Sequence, residues 1–190
     1  MDLISSSVVG YIDDLVPTRS VELDRMEKHA RKVGFPIVGP ASGQLCYQIS
    51  RMIGARSVFE LGSGFGYSTA WFARAVQENG GGTVEHVVWD EELSVRARRH
   101  LSTLGYDDIV RYHVGEAVAT LRNSDGPYDV IFNDIDKWMY PESLPVIEQK
   151  LRPGGVLIID NMLWSGRIFD DSDLSDDTEG IRLFTRLITA

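Results

Sequence analysis

Ser57-Val58-Phe59-Glu60-Leu61-Gly62-Ser63-Gly64-Phe65-Gly66-Tyr67-Ser68 is the stretch that decides the fold. Val58, Phe59 and Leu61 suit a short buried strand, and three glycines follow at alternate positions. Trp71, Ala75 and Val76 then give Tyr67 to Gln77 the apolar spacing of a helix. Strand, glycine turn, helix is the unit from which a doubly wound α/β sheet builds a nucleotide site. Glycine lets the backbone turn tightly and approach a ligand, and the first turn of a helix offers free N–H donors. A dinucleotide fingerprint calls for Gly-x-Gly-x-x-Gly, but here its third glycine position is Tyr67. Glu60 stands two residues before the first glycine, close to where a pyrophosphate would lie, and an acid there suits a cationic ligand. S-adenosylmethionine carries an ammonium and a sulfonium, so Glu-x-Gly-x-Gly-x-Gly reads as its site. A plain tight turn is the alternative.

Outward from this stretch the pattern repeats. On the N-terminal side, Leu3 to Val16 has helical spacing and is stopped by Pro17. Ser20 can cap a second helix, Val21 to Lys32, which Gly34 and Pro36 end; Pro40 to Gly54 is a third. The first two form a candidate lid or dimer element. On the C-terminal side, strands at Thr83 to Trp89, Ile109 to Val114, Tyr128 to Asn133 and Val156 to Asp160 alternate with helices at Glu91 to Leu104, Glu116 to Leu121 and Pro141 to Leu151. Such alternation predicts an α/β fold, a doubly wound, mostly parallel sheet flanked by helices with right-handed crossovers. Pro153-Gly154-Gly155 reads as a turn, and Val156 to Asp160 as a strand buried on both faces. An acidic loop (Asp170, Asp171, Asp173, Asp176, Asp177) precedes a last amphipathic helix, Thr178 to Ile188. One domain is expected over 1–190, with N-terminal helices to residue 54 and the sheet core and last helix over 55–190.

Hydrophobic residues make up 43% and charged residues 25%, the balance of a soluble globular protein. No apolar run approaches the ~20 residues that span a bilayer, and no basic-then-apolar leader opens the chain. Cys46 stands alone, which allows no internal disulfide and fits a reducing, cytoplasmic setting. Nineteen Lys and Arg against twenty-eight Asp and Glu give a net charge of −9. That sign opposes binding to phosphate backbones, so nucleic acid is not an expected partner. The run Arg96, Arg98, Arg99, His100 reads as a solvated helix face.

Ligands of open parallel sheets bind beyond the carboxyl ends of the strands. Those ends carry Glu60, Asp90, Asn133-Asp134 and Asp160-Asn161. Asp134, Asp160 and Asn161 are hard oxygen donors from two strands that should be neighbours, a set that suits Mg²⁺. The alternative is that Asp160-Asn161 caps a loop.

Four stretches carry a family resemblance: Val38-Gly39-Pro40-Ala41-Ser42-Gly43-Gln44, the glycine turn, Asn133-Asp134-Ile135-Asp136-Lys137, and Leu151-Arg152-Pro153-Gly154-Gly155 with Asp160-Asn161-Met162-Leu163-Trp164-Ser165-Gly166. The chain resembles the cation-dependent class I O-methyltransferases, which include catechol and caffeoyl-CoA O-methyltransferases. The resemblance implies Mg²⁺ ligation by Asp134, Asp160 and Asn161, and Lys137 as general base. It implies that Val38, Glu60, Gly62 and Ser68 hold the methionine part of the cofactor, that Glu116 and Ala117 flank the adenine, and that Trp138 and Trp164 are aromatic walls, with a core role open for either. Asp134 counts with both cofactor and metal. A small aromatic diol is the implied substrate and a homodimer the implied assembly.

Two departures stand out. The family's acid that binds both ribose hydroxyls is Val88 in an ungapped match, and Asp90, two residues on, shares its face of an extended strand. The family also continues past the last helix into two antiparallel edge strands, so either this form is truncated or the pocket is completed another way. A non-catalytic cofactor-binding module and a tRNA methyltransferase on the same fold are the competing functions.

Overall fold

The structure is a computed structural model that describes residues 5–190. Leu3 and Ile4, part of the first expected helix, lie outside the described residues. Helix α1 spans Ser6–Asp14, capped by Ser5. Helix α2 spans Val21–Val33, with the Ser20 hydroxyl accepting from Leu23 N and Gly34 closing it at φ 68°. Helix α3 covers Gly39–Met52. Then come β1 (Ser57–Leu61), α4 (Tyr67–Glu78), β2 (Thr83–Val88), α5 (Glu91–Thr103), β3 (Val110–Val114), α6 (Ala117–Asn123) and β4 (Tyr128–Asn133). A 3₁₀ turn, Lys137–Met139, leads into α7 (Tyr140–Lys150); β5 (Leu151–Ile159), an irregular 3₁₀ segment (Trp164–Phe169) and α8 (Asp176–Ile188) complete the chain.

The five strands form one parallel sheet in the order β3-β2-β1-β4-β5. Alternate side chains of each strand leave on opposite faces, and two apolar layers result. Val58, Val84 and Val130 face α2, α3, α4 and α5 through Met26, Cys46, Trp71, Phe72 and Leu101. Phe59, Leu61 and Ile131 face α6, α7 and α8 through Leu121, Tyr140 and Phe184. The order reverses direction between β1 and β4, the point where an open sheet offers its ligand crevice.

β5 departs from expectation. Residues 156–159 are half-buried rather than enclosed, because among the described residues β5 pairs with β4 alone. Pro153-Gly154-Gly155 lies inside the strand as an irregularity: Tyr128 pairs with Leu151 and Val130 with Val156. α1 buries none of its residues, and Val8, Val9, Tyr11, Ile12 and Leu15 are exposed. Among the described residues no helix is long and apolar enough to cross a membrane.

Candidate active site

A cavity of about 450 Å³ opens at the carboxyl ends of β1, β2 and β4. Its floor is the glycine turn. Gly62, Gly64 and Gly66 have φ of 88°, 49° and 91°, backbone that favours glycine. The packing is equally demanding, since a Cβ on Gly62 would lie 2.3 Å from the carbonyl oxygen of Asp134. Helix α4 begins at Gly66 without a side-chain cap, so its first-turn amides remain available to an anionic group at the cavity floor.

The expected site residues divide into two groups. Val38, Gly62, Ser68, Asp90, Ala117, Asp134, Lys137, Asp160 and Asn161 all line this one cavity, as does Val88, where the family's acid is absent. Glu60 and Glu116 do not. Glu60 leaves β1 on the α4 face and is 0% exposed. It accepts from the Thr69 hydroxyl, which also meets His86 Nδ1 at 3.1 Å. Burial raises its carboxyl to about 7, against the opposing hydroxyls of Ser68, Thr69 and Ser63. Glu60 therefore sits behind the glycine turn, outside the cavity wall, on the face that strand alternation gives it. Glu116 turns away to cap α6, accepting from Val118 N at 2.6 Å and from Ala119 N. Asp90 caps α5 through Leu93 N at 2.9 Å while lining the cavity.

Opposite the glycine turn, Asp134 and Asp160 leave the ends of adjacent strands β4 and β5. Asp134 N donates to Leu61 O at 2.9 Å, and Asp160 N to Asn133 O at 3.1 Å, which ties both acids to the sheet. Burial pushes the Asp134 carboxyl up to about 6, opposed by Lys137 and reinforced by Asp160. Lys137, 8% exposed, donates from Nζ to Asp134 Oδ1 and to Ile135 O, both at 3.0 Å. Its turn is braced from behind by α8, where a Cβ on Gly180 would lie 2.4 Å from Lys137 O. Asn161, Trp164 and Ser165 adopt φ of 57°, 44° and 52°. Backbone of that kind costs roughly 1–3 kcal/mol where it occurs in a bulky residue, and it gathers at functional sites. The strained loop brings Trp164 into the cavity wall, with Lys137 Nζ 5.7 Å from its ring. Trp138 is 54% exposed and stands outside the wall. Among the described residues, no three His, Cys, Asp or Glu side chains gather at one point; the set here is two carboxylates and one carboxamide.

Sequence reading missed Phe35, Pro36, Ile37, Phe65 and Trp89 as wall residues. Phe65 carried a signal, because an aromatic at the tip of a glycine turn needs cover, and Phe35 supplies it at 5.1 Å. Arg96, Arg98 and Arg99 are exposed as expected, whereas His100 turns inward to Glu22 at 2.6 Å.

A family model described as a methyltransferase domain matches residues 59–162, more than half of the chain. A catechol O-methyltransferase of Niastella koreensis is 28% identical over 98% of this chain and 86% of its own length. One of Mycobacterium tuberculosis is 31% identical over 73% of this chain and 63% of its own. Among solved structures, the O-methyltransferase TomG of Streptomyces achromogenes, in complex with S-adenosylmethionine, is 28% identical with a TM-score of 0.86, covering 96% of this chain and 84% of that one. The O-methyltransferase of Bacillus cereus, in complex with S-adenosylhomocysteine, is 28% identical with a TM-score of 0.87, covering 96% and 85%. A glycine turn at the sheet's switch point, a cavity beyond the strand ends and these likenesses agree: the chain belongs to the methyltransferase-domain family and is a class I S-adenosylmethionine-dependent O-methyltransferase.

Proposed function

We propose that the chain methylates one hydroxyl of a small vicinal diol of the catechol type, with a divalent cation, Mg²⁺, held by Asp134, Asp160 and Asn161. The observation that carries this reading is the meeting, in one cavity, of the glycine turn with two carboxylates, a carboxamide and Lys137. Relatives called catechol O-methyltransferases support the diol. The donor set suits a hard cation: three oxygen donors from adjacent strand ends leave coordination positions for substrate oxygens. Asp160 raises the cost of ionising Asp134, a repulsion that a cation relieves.

Val38, Gly62, Ser68, Asp90 and Ala117 hold the cofactor from the wall. Glu60 acts through the hydroxyls beneath the turn, and Glu116 by fixing the start of α6 beside Ala117. When bound, S-adenosylmethionine would supply an electrophilic methyl group, and Mg²⁺ held by Asp134, Asp160 and Asn161 would lower the pKa of a diol and fix its orientation. Lys137 is the basic side chain of the wall, 3.0 Å from Asp134. As general base it would take the proton of the reacting hydroxyl. Trp164 closes the aromatic side of the cavity. Ile37 and Val38, with Trp164, keep water from the reacting oxygen.

Methyl transfer to 1,2-dihydroxybenzene, measured with chelator-treated protein before and after added Mg²⁺, tests the reading. Activity should disappear with the chelator, return with the cation, and stay absent in Asp160→Ala at the same Mg²⁺ concentration. Transfer by the chelated parent at the untreated rate would remove the metal from the proposal.

A further inference from the structure

Glu27 is a buried carboxylate with no part in the site so far. It is 2% exposed and lies on the face of α2 that carries Leu23, Met26 and Ala30. Carboxylates persist out of water only where partners engage them, and both oxygens of Glu27 are engaged. Oε1 accepts from Tyr67 Oη at 2.9 Å and lies 2.6 Å from Arg19 Nε; Oε2 accepts from Arg19 Nη2 at 3.2 Å. Tyr67 follows Gly66, opens α4 and lines the cavity. Burial, with the charge of Glu27, pushes its phenol well above the ordinary range, so it remains a hydrogen-bond donor.

The surrounding contacts join α2 to the same turn. Phe65 packs against Phe35 at 5.1 Å, His29 of α2 at 5.8 Å and His100 of α5 at 6.0 Å. The segment leaving α2, Phe35 to Val38, forms one wall of the cavity. Glu27 thus connects the segment that precedes α2, through Arg19, to the first residue after the glycine turn.

We propose that Glu27 is a positioning residue for the cofactor: by holding Tyr67 Oη it sets the glycine turn and the first turn of α4 against the Phe35–Val38 wall. This rests on the reading that the glycine-turn end of the cavity is the cofactor site. Glu27 touches no reacting atom. Its loss should raise KM for S-adenosylmethionine while kcat at saturating cofactor and KM for the diol hold.

The test is calorimetric titration with S-adenosylhomocysteine, alongside steady-state kinetics, on Glu27→Leu, Tyr67→Phe, the double variant and Glu27→Gln. All are measured below the unfolding temperature of each variant. Each of the first two should weaken binding about tenfold, the scale of one hydrogen bond to a charged acceptor. The double variant should be no weaker than the worse single, because both remove the same contact. Glu27→Gln keeps an acceptor for Tyr67 and should recover most of the affinity. Tyr67→Phe retains the ring and disturbs packing least, so it carries the test if Glu27→Leu does not fold. Parent-like binding by Tyr67→Phe, losses that add in the double variant, or a fall in kcat without a rise in cofactor KM would overturn the proposal. Gly64→Ala, which crowds the turn itself against Phe35 at 3.1 Å, separates the two failures. If it alone loses affinity, Glu27 has no positioning role; if it too binds like the parent, the cofactor lies elsewhere.

Discussion

Gly62→Ala tests whether the glycine turn and the acid of the neighbouring strand are one mechanical unit. An alanine there meets two costs. Its φ of 88° is a left-handed conformation, worth about 1–2 kcal/mol for an L-residue with a side chain. Its Cβ would also lie 2.3 Å from Asp134 O and 2.7 Å from Asp134 C, both main-chain atoms that no rotamer change can move. Relief requires β1 and β4 to part where Asp134 N bonds Leu61 O at 2.9 Å. Overpacking of this kind costs about 1–3 kcal/mol. Together the two effects amount to about 2–5 kcal/mol, which for a chain of this size lowers Tm by roughly 4–20 °C. Gly54→Ala is the control, because Gly54 has φ 63° and open space around its Cβ position. It should show the conformational cost alone, about 1–2 kcal/mol. Thermal unfolding followed by circular dichroism compares the two variants directly. Midpoints within about 2 °C of each other, less than 1 kcal/mol at this size, would refute the close approach of Gly62 to Asp134. Methyl transfer by Gly62→Ala should also fall below that of Gly54→Ala while both remain folded, since the displaced backbone carries the Asp134 carboxylate.

Three further outcomes follow from the site. Lys137→Ala should lower kcat by roughly 10²–10⁴ with little change in KM for the diol; a kcat within threefold of the parent would remove Lys137 as the base. Asp90→Ala should cost both the α5 cap, ~1 kcal/mol of stability, and cofactor affinity, whereas Asp90→Asn keeps the cap and isolates the carboxylate's effect on binding. If both variants bind S-adenosylhomocysteine like the parent, Asp90 does not replace the acid absent at Val88. Glu60 is raised by burial from 4.5 to about 7, so its proton is held more tightly in the folded chain. Its contribution to stability is complete below the unfolded value and is lost as pH rises through 7. Denaturant unfolding of Glu60→Gln should therefore show the variant gaining on the parent between about pH 5 and 8; a pH-independent difference would place Glu60 outside the titrating groups.

Local signals in the sequence determined the elements and their order. β4 runs from Tyr128 to Asn133 as its apolar run indicated, and α2 starts and stops at Ser20 and Gly34 because capping and positive φ are decided within a few residues. The glycine turn, Asp134 and Asp160-Asn161 were legible as cavity residues for the same reason: each is a short pattern at a strand end, and parallel strands bring their carboxyl ends together; Lys137 was marked by the family resemblance. Tertiary structure alone decided which side chains reach the cavity. Glu60 and Gly62 are two residues apart, yet one is sealed against Thr69 and His86 while the other lines the wall. That outcome depends on α4 packing over Glu60 within β1, while Gly62 lies past the strand end, where the chain turns into the cavity floor. Trp138 and Trp164 looked alike in sequence; α8, close behind Lys137, and the left-handed loop after Asn161 leave one in solvent and put the other in the wall. Val156 to Asp160 has the composition of a central strand, but composition reports hydrophobicity, not the number of neighbours, and among the described residues this strand pairs with β4 alone. Glu27 was marked in part by its place among Leu23, Met26 and Ala30. Its partner, Tyr67, lies forty residues on, and only the folded chain brings the two together.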